Sequence, residues 1–205
     1  MKQQTFLVTG GNKGLGLELI NHYGGTSISR TQLRDNDIIA DITNTSDIER
    51  IANESLKYDV FVNSAFDGPP GNPWANFAQV NLLIKVYEVW ENANKNGHII
   101  NIGSVGEKHI IAPQPDFERY RIAKSALSHA SKQCTMSFKN NIVPFKTSLI
   151  TPDRIDTPLV RSRDSWTGNG IACNDMIKTI DYIIDVNANT CIEEVTLWVN
   201  HNYEN

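Results

Sequence analysis

Tyr120 and Lys124 stand four residues apart in "YRIAK", inside a stretch of helical period over 117–138, so both side chains leave one helix face. A free tyrosine hydroxyl, with a pKa of about 10, exchanges protons poorly near neutrality. A neighbouring ammonium favours the phenolate and lowers that pKa. Such a pair can give a proton to a carbonyl oxygen or take one from an alcohol. A second constellation opens the chain, where "TGGNKGLG" packs four glycines into eight residues, Thr9 to Gly16, after the apolar run Phe6-Leu7-Val8. Where a strand turns into a helix, unpaired backbone N–H groups and the helix dipole together bind phosphate or pyrophosphate. Glycine permits the tight turn and lets the ligand touch the backbone. The candidates there are Gly10, Asn12, Lys13, Gly14, Leu15 and Gly16; an ordinary glycine-rich turn is the alternative.

The elements that must position these residues alternate along the chain. Short apolar strands are expected at 4–9, 26–29, 37–40, 59–63, 97–102, 144–150 and 194–199. Helical stretches are expected at 14–23, 47–56, 75–94, 117–138 and 174–185. Continuous apolar strands alternating with helices imply an α/β fold, a doubly wound parallel sheet of about seven strands with helices on both faces. Only six residues separate Arg30 from Asp37, too few for an ordinary parallel crossover, so the helix between strands two and three is expected to be missing or very short. No repeat, low-complexity tract or linker divides the sequence, and residues 1–205 are expected to form one domain.

Composition excludes other classes. A net charge of −4 argues against a general nucleic-acid binder. No apolar run approaches the roughly 20 residues that span a bilayer, and the start of the chain has no signal-peptide pattern. The three cysteines, Cys134, Cys173 and Cys191, lack metal-ligand spacing. They read as reduced thiols of a cytoplasmic protein, with no metal expected.

Four further features follow the glycine loop in one order: Asn63-Ser64-Ala65 after the fourth strand, Asn81 within the next helix, Ser104 at the end of the fifth strand in "IINIGSVG", and then "YRIAK". With them the chain resembles the short-chain dehydrogenase/reductase family, from about Thr5 to Pro158, as a trimmed member. The resemblance implies a Rossmann-like fold, Tyr120 as acid/base, and Lys124 as the group that lowers its pKa and holds the nicotinamide ribose. It implies that the Ser104 hydroxyl holds the substrate carbonyl, and that the backbone at Asn81 holds a water of a proton relay. Asn63, Ser64 and Ala65 would lie beside the adenosine part of the cofactor, with Asp41 receiving the adenine amine and Ile42 packing near its ring. In "TPDRIDTPLV", Pro152 and Thr157 match the family, and Thr157 with the Ile155 backbone would hold the carboxamide. Asp153 stands where the family has glycine.

The cofactor is expected to be NADP(H) rather than NAD(H). The end of the second strand reads "SISRT", with Arg30 and Thr31 and no acid to accept ribose hydroxyls. Lys13 adds a second cation. The expected partners are a small carbonyl or alcohol substrate and further copies of the chain, as a homodimer or homotetramer through the helices at 75–94 and 117–138. Those helices carry Tyr87, Trp90, Ile122, Leu127 and Phe138, with Trp74 just before the first. A non-catalytic NADP(H) sensor on the same fold is the alternative function. An epimerase or dehydratase of the extended type would need a further C-terminal domain. The segment 159–173, with "RSRDSWTGNG", is expected to cover the site poorly.

Overall fold

The computed structural model describes residues 4–66, 77–108, 115–162 and 168–200, with side chains except those of 115–117. Seven strands form one sheet: β1 Phe6–Thr9, β2 Thr26–Ser29, β3 Ile38–Ile39, β4 Val60–Asn63, β5 His98–Ile102, β6 Lys146–Pro152 and β7 Glu194–Leu197. Their order is β3-β2-β1-β4-β5-β6-β7. Every neighbouring pair is parallel, with Leu7 opposite Thr26 and Phe61, and Ile99 opposite Phe61 and Thr147.

The central strands are buried on both faces, and their period of two sorts the core into halves. Leu7, Phe61 and Ile99 point to one side, where α2 (Thr45–Ser55), α3 (Ala78–Asn92) and α4 (Pro115–Lys139) bury Ile51, Leu82, Val86, Trp90 and Leu127. Phe6, Val8, Val60, Val62 and Ile100 point to the other, against α1 (Gly14–Tyr23) and α6 (Cys173–Asp185), which contribute Leu19, Ile20, Met176 and Ile180. A further one-turn helix, α5, spans Pro158–Arg161; it falls in the segment expected to cover the site. The expected α/β architecture and strand number are those observed.

Helix α2 starts earlier than its acidic residues indicate, because the Asn44 side chain caps it, accepting from Ser46 N–H and Asp47 N–H. Between β2 and β3 there is no helix. The chain wraps around the buried Asp37 carboxylate, whose Oδ2 accepts from Leu33 N–H and Arg34 N–H, each at 2.9 Å. The carboxylate supplies the hydrogen bonds that a helix turn would have provided.

After β1 the chain moves outward to β2 and β3, then returns to pair β4 on the other side of β1. The crevice at the C-terminal ends of β1 and β4 is therefore the switch point of the sheet, where ligands bind in folds of this kind.

Candidate active site

The glycine loop lies at that switch point. Gly14 has φ +54°, a left-handed conformation at the start of α1. Gly16 packs so closely that a Cβ would stand 2.3 Å from the Gly10 carbonyl oxygen. Lys13 precedes α1 in extended conformation, and no side chain caps the helix start. Its first N–H groups are thus left for a ligand. Leu15 is buried and belongs to the core, so only its backbone faces the loop.

Two side chains tie the loop to its neighbours. Thr9 Oγ1 accepts from Ser64 N–H at 2.9 Å and Ala65 N–H at 2.8 Å, fixing the Asn63-Ser64-Ala65 turn beside β1. Asn12 Nδ2 donates to Thr31 Oγ1 at 2.6 Å, joining the loop to the end of β2. Arg30 is exposed at that end. A Cβ on Gly14 would lie 3.6 Å from Thr157 Cγ2, which places Thr157 against the same loop. Ile155 pairs with Ile171 in a parallel bridge nearby. Asp153 is not among the described residues with positive φ, and its N–H continues the ladder to Leu197 O. Aspartate therefore costs nothing in backbone strain at this position.

Asp41 and Ile42 sit at the C-terminal end of β3. Asp41 Oδ1 accepts from Thr43 N–H and Thr43 Oγ1–H, an Asx turn, while Ile42 packs into the core.

The chemistry-bearing group is built from β4, β5, α3 and α4. Lys124 is 4% exposed, yet ionisable. Its Nζ donates to Gln79 Oε1 at 2.7 Å and to the Ile102 carbonyl at 2.8 Å. It also lies over two aromatic faces, 5.0 Å from the Phe66 ring centre and 5.8 Å from that of Tyr120. Burial pulls its pKa down to about 7, with the charge of Glu107 opposing the shift. Tyr120 is half-buried. Glu107, in the 3₁₀ turn after β5, has its carboxyl pushed above the ordinary range by burial. Ser104 caps that turn, its Oγ accepting from Gly106 N–H at 3.2 Å. A hydroxyl that accepts in this way keeps its own proton to donate.

Tyr120, Lys124 and the cap of the Ser104 turn thus gather at the C-terminal ends of β4 and β5. Asn81 does not join them with its side chain. It is exposed on the outer side of α3 and lines a shallow groove with Thr45, Ile48 and Lys85. Gln79, two residues earlier, is the α3 side chain that reaches Lys124. Sequence reasoning missed it, although a signal was present. Gln79, Leu82, Leu83, Val86 and Trp90 follow one helical stripe, so Gln79 occupies a core position where a polar group needs a partner. Asn63 is also turned inward: its Nδ2 donates to the Gln79 carbonyl and to Asn101 Oδ1, both at 3.0 Å.

Among the described residues no cluster of histidine, cysteine or acidic side chains could hold a metal ion, and no helix is long and apolar enough to cross a membrane. Trp90 and Leu127 are buried under the sheet, whereas Ile84 and Ile122 are exposed on α3 and α4. Trp74, Arg163, Asp164 and Trp166 lie outside the described residues.

No family model matches the sequence, and no curated protein matches it. Solved structures do. A 3-ketoacyl-(acyl-carrier-protein) reductase from Brucella melitensis complexed with NADH is 16% identical with a TM-score of 0.70, over 94% of this chain and 96% of that one. A 4-hydroxyisoleucine dehydrogenase complexed with NADH is 19% identical with a TM-score of 0.75, over 95% and 96%. A short-chain dehydrogenase from Burkholderia cenocepacia in complex with NADP is 18% identical with a TM-score of 0.69, over 95% and 87%. The protein has the Rossmann-like fold of the short-chain dehydrogenases/reductases.

Proposed function

We propose that this chain is a short-chain dehydrogenase/reductase that moves a hydride between NADP(H) and a small carbonyl or alcohol compound, with Tyr120 as acid/base. The observation that carries this reading is the buried Lys124 ammonium beside the Tyr120 ring. A lysine is withdrawn from water at a cost of several kcal/mol; without a task there, an apolar residue would serve the core better.

The residues present fit a nicotinamide dinucleotide. The uncapped start of α1, the close packing at Gly16 and the small residues Ser64 and Ala65 leave backbone free to meet a pyrophosphate and its adenosine. Thr157, which lies against Gly14, would meet the carboxamide end. Arg30 and Lys13 supply cations for a 2′-phosphate. Bound there, the nicotinamide supplies or accepts the hydride.

The chain's own residues handle the proton. Ser104 donates a hydrogen bond to the substrate oxygen and orients it. Tyr120 gives its phenolic proton to that oxygen as negative charge develops, and the Lys124 ammonium stabilises the phenolate left behind. In the alcohol direction the same groups run in reverse. The closeness of the solved relatives named with NADH or NADP supports a nicotinamide cofactor; the preference for NADP(H) rests on Arg30, Thr31 and Lys13.

The test is NADPH consumption by the purified chain over ketones, aldehydes, quinones and keto acids. Turnover of at least one class, abolished with Tyr120→Phe, is the expected result. Tight NADPH binding without any turnover would favour a cofactor sensor, and no binding would overturn both readings. A cytoplasmic homodimer or homotetramer is the expected assembly, with Ile84 and Ile122 covered; light scattering that reports a monomer at micromolar concentration would refute it.

A further inference from the structure

Gln79 and Asn63 exchange hydrogen bonds in a closed ring. Gln79 Nε2 donates to the Asn63 carbonyl at 2.9 Å, and Asn63 Nδ2 donates to the Gln79 carbonyl at 3.0 Å. The amide of Gln79 is therefore fixed in orientation: with its nitrogen spent on β4, its oxygen must face Lys124, where it accepts at 2.7 Å. Gln79 is 2% exposed and Asn63 fully buried, so water does not compete for these bonds. Asn63 is held in turn by Asn101 on β5.

The groups around the ammonium are neutral except one. Gln79 faces it from α3, the Ile102 carbonyl from β5, the Phe66 ring from the segment after β4, and Tyr120 from its own helix. Among the described residues, the charge that acts on it is that of Glu107, from the 3₁₀ turn. A glutamate at position 79 would have neutralised the lysine in an ion pair; glutamine holds it with a dipole instead.

We propose that Gln79 is a positioning residue for Lys124: its amide, locked by the Asn63 ring, aims the ammonium toward Tyr120 without pairing it to a carboxylate. This deepens the reductase reading and rests on it only for the catalytic consequence. An ammonium held by a neutral amide stabilises a tyrosinate more than one already paired with a carboxylate. It also exchanges its proton near neutrality, as a group that resupplies Tyr120 must.

The test follows Lys124 itself. In the full chain labelled at lysine Cε and Nζ, with the resonance assigned by its loss in Lys124→Arg, the titration of Lys124 is read by NMR without cofactor or substrate. Gln79→Glu is expected to raise its midpoint by about 1–3 pH units through the new ion pair. Gln79→Met, similar in size but without the acceptor, is expected to lower it by about one unit, as a lost charge-assisted bond predicts. In an active enzyme the lysine-dependent limb of the kcat/KM profile should move in the same directions. A midpoint unchanged in whichever variants fold, with only the melting temperature lowered, means a merely structural glutamine and overturns the proposal. The titration needs no turnover. A midpoint that follows Gln79 in a chain with no reductase activity would sustain the positioning role and remove the reductase reading.

Discussion

The Phe66 ring stands edge-on to the ring of Tyr120, their centres 5.0 Å apart and their planes at 87°. The same Phe66 ring carries the Lys124 ammonium over its face. One aromatic side chain thus packs against both members of the YxxxK pair. It removes water from one side of the lysine and holds the tyrosine ring against rotation, so the two groups meet a substrate in a fixed arrangement.

The most direct consequence concerns the tyrosine hydroxyl. Tyr120→Phe deletes that one group and keeps the edge-on packing with Phe66. General acid catalysis is typically worth about 10²–10⁴-fold, so kcat should fall by that factor. NADPH affinity, read by fluorescence titration, should stay within a few-fold. Near-normal turnover in the purified variant would remove Tyr120 from the mechanism.

Burial of Lys124 also predicts a pH dependence of stability. In the unfolded chain this lysine titrates at its ordinary value, near 10.5, whereas in the fold it titrates at about 7. Between these values the unfolded state binds a proton that the folded state does not. Stability therefore rises with pH from about 7 toward 10.5, by at most about 1.4 kcal/mol per unit, and below 7 the penalty is fully present. Lys124→Met should show a higher melting temperature than the parent at pH 6, with the difference shrinking by pH 10. A difference that is constant with pH would mean that the lysine is not buried in the charged form at low pH.

His98 runs on the same logic at the acid end. It is buried at the start of β5, its Nε2 2.8 Å from Ser148 Oγ, and burial lowers its pKa to about 3. Below its unfolded value of 6.5 the unfolded chain takes up a proton that the folded one refuses, so stability is lost as pH falls from 6.5 toward 3. His98→Gln, which keeps a polar group for Ser148, should flatten that acid limb in urea titrations between pH 4 and 7. An unchanged limb would place the acid sensitivity elsewhere.

Much of this arrangement was legible in the sequence, because its signals are local or ordered. The glycine loop, the Asn-Ser-Ala turn and Ser104 follow the C-terminal ends of the neighbouring strands β1, β4 and β5, which a parallel sheet brings to one edge, and YxxxK lies on α4, the helix that comes next. The missing helix between β2 and β3 could be read from the shortness of the segment, although not the role of Asp37 in closing it. What escaped was long-range. Gln79 acquires its meaning from Asn63 and Lys124, 16 and 45 residues away; its place on the apolar stripe of α3 marks it as inward-facing, but not which partners it meets. Asn81, two residues on, turns its side chain about 200° around the helix to the exposed face, which does not bear on the role expected of its backbone. Trp90 and Leu127 looked like candidates for a surface between subunits because periodicity does not say which of two apolar faces meets the sheet.

Cofactor preference should reside in a few cations. Arg30 is exposed at the end of β2, and the Asn12–Thr31 bond holds the glycine loop, with Lys13, beside it. Among the residues that follow β2, the first carboxylate, Asp35, comes after Arg34, and the next, Asp37, is committed to the loop backbone. NADPH should bind more than about tenfold tighter than NADH, a difference that one bidentate arginine–phosphate contact is sufficient to supply. Arg30→Ala should erase most of it. Equal affinities in the parent chain would refute the assignment.

The described residues that directly follow Thr157 are thinly anchored. Helix α5 has four residues and buries none of them, and Leu159 is 61% exposed. Arg161 is occupied by Asp156, with Nη2 2.9 Å from Oδ2, rather than presented to a substrate anion. A segment that buries so little apolar area offsets little of the entropy lost on ordering. It would exclude water poorly and grip a substrate weakly, giving high KM values and tolerance of bulky carbonyl compounds. Limited proteolysis checks this directly. Without ligand, trypsin should cut after Arg161 or Arg163 before any other site, and saturating NADPH should slow that cut if the neighbouring Thr157 helps to hold the cofactor. The Arg161–Asp156 ion pair, exposed to solvent, contributes too little to prevent cleavage. If those two bonds resist while other loops are nicked, the segment is well anchored and the site is closed rather than open.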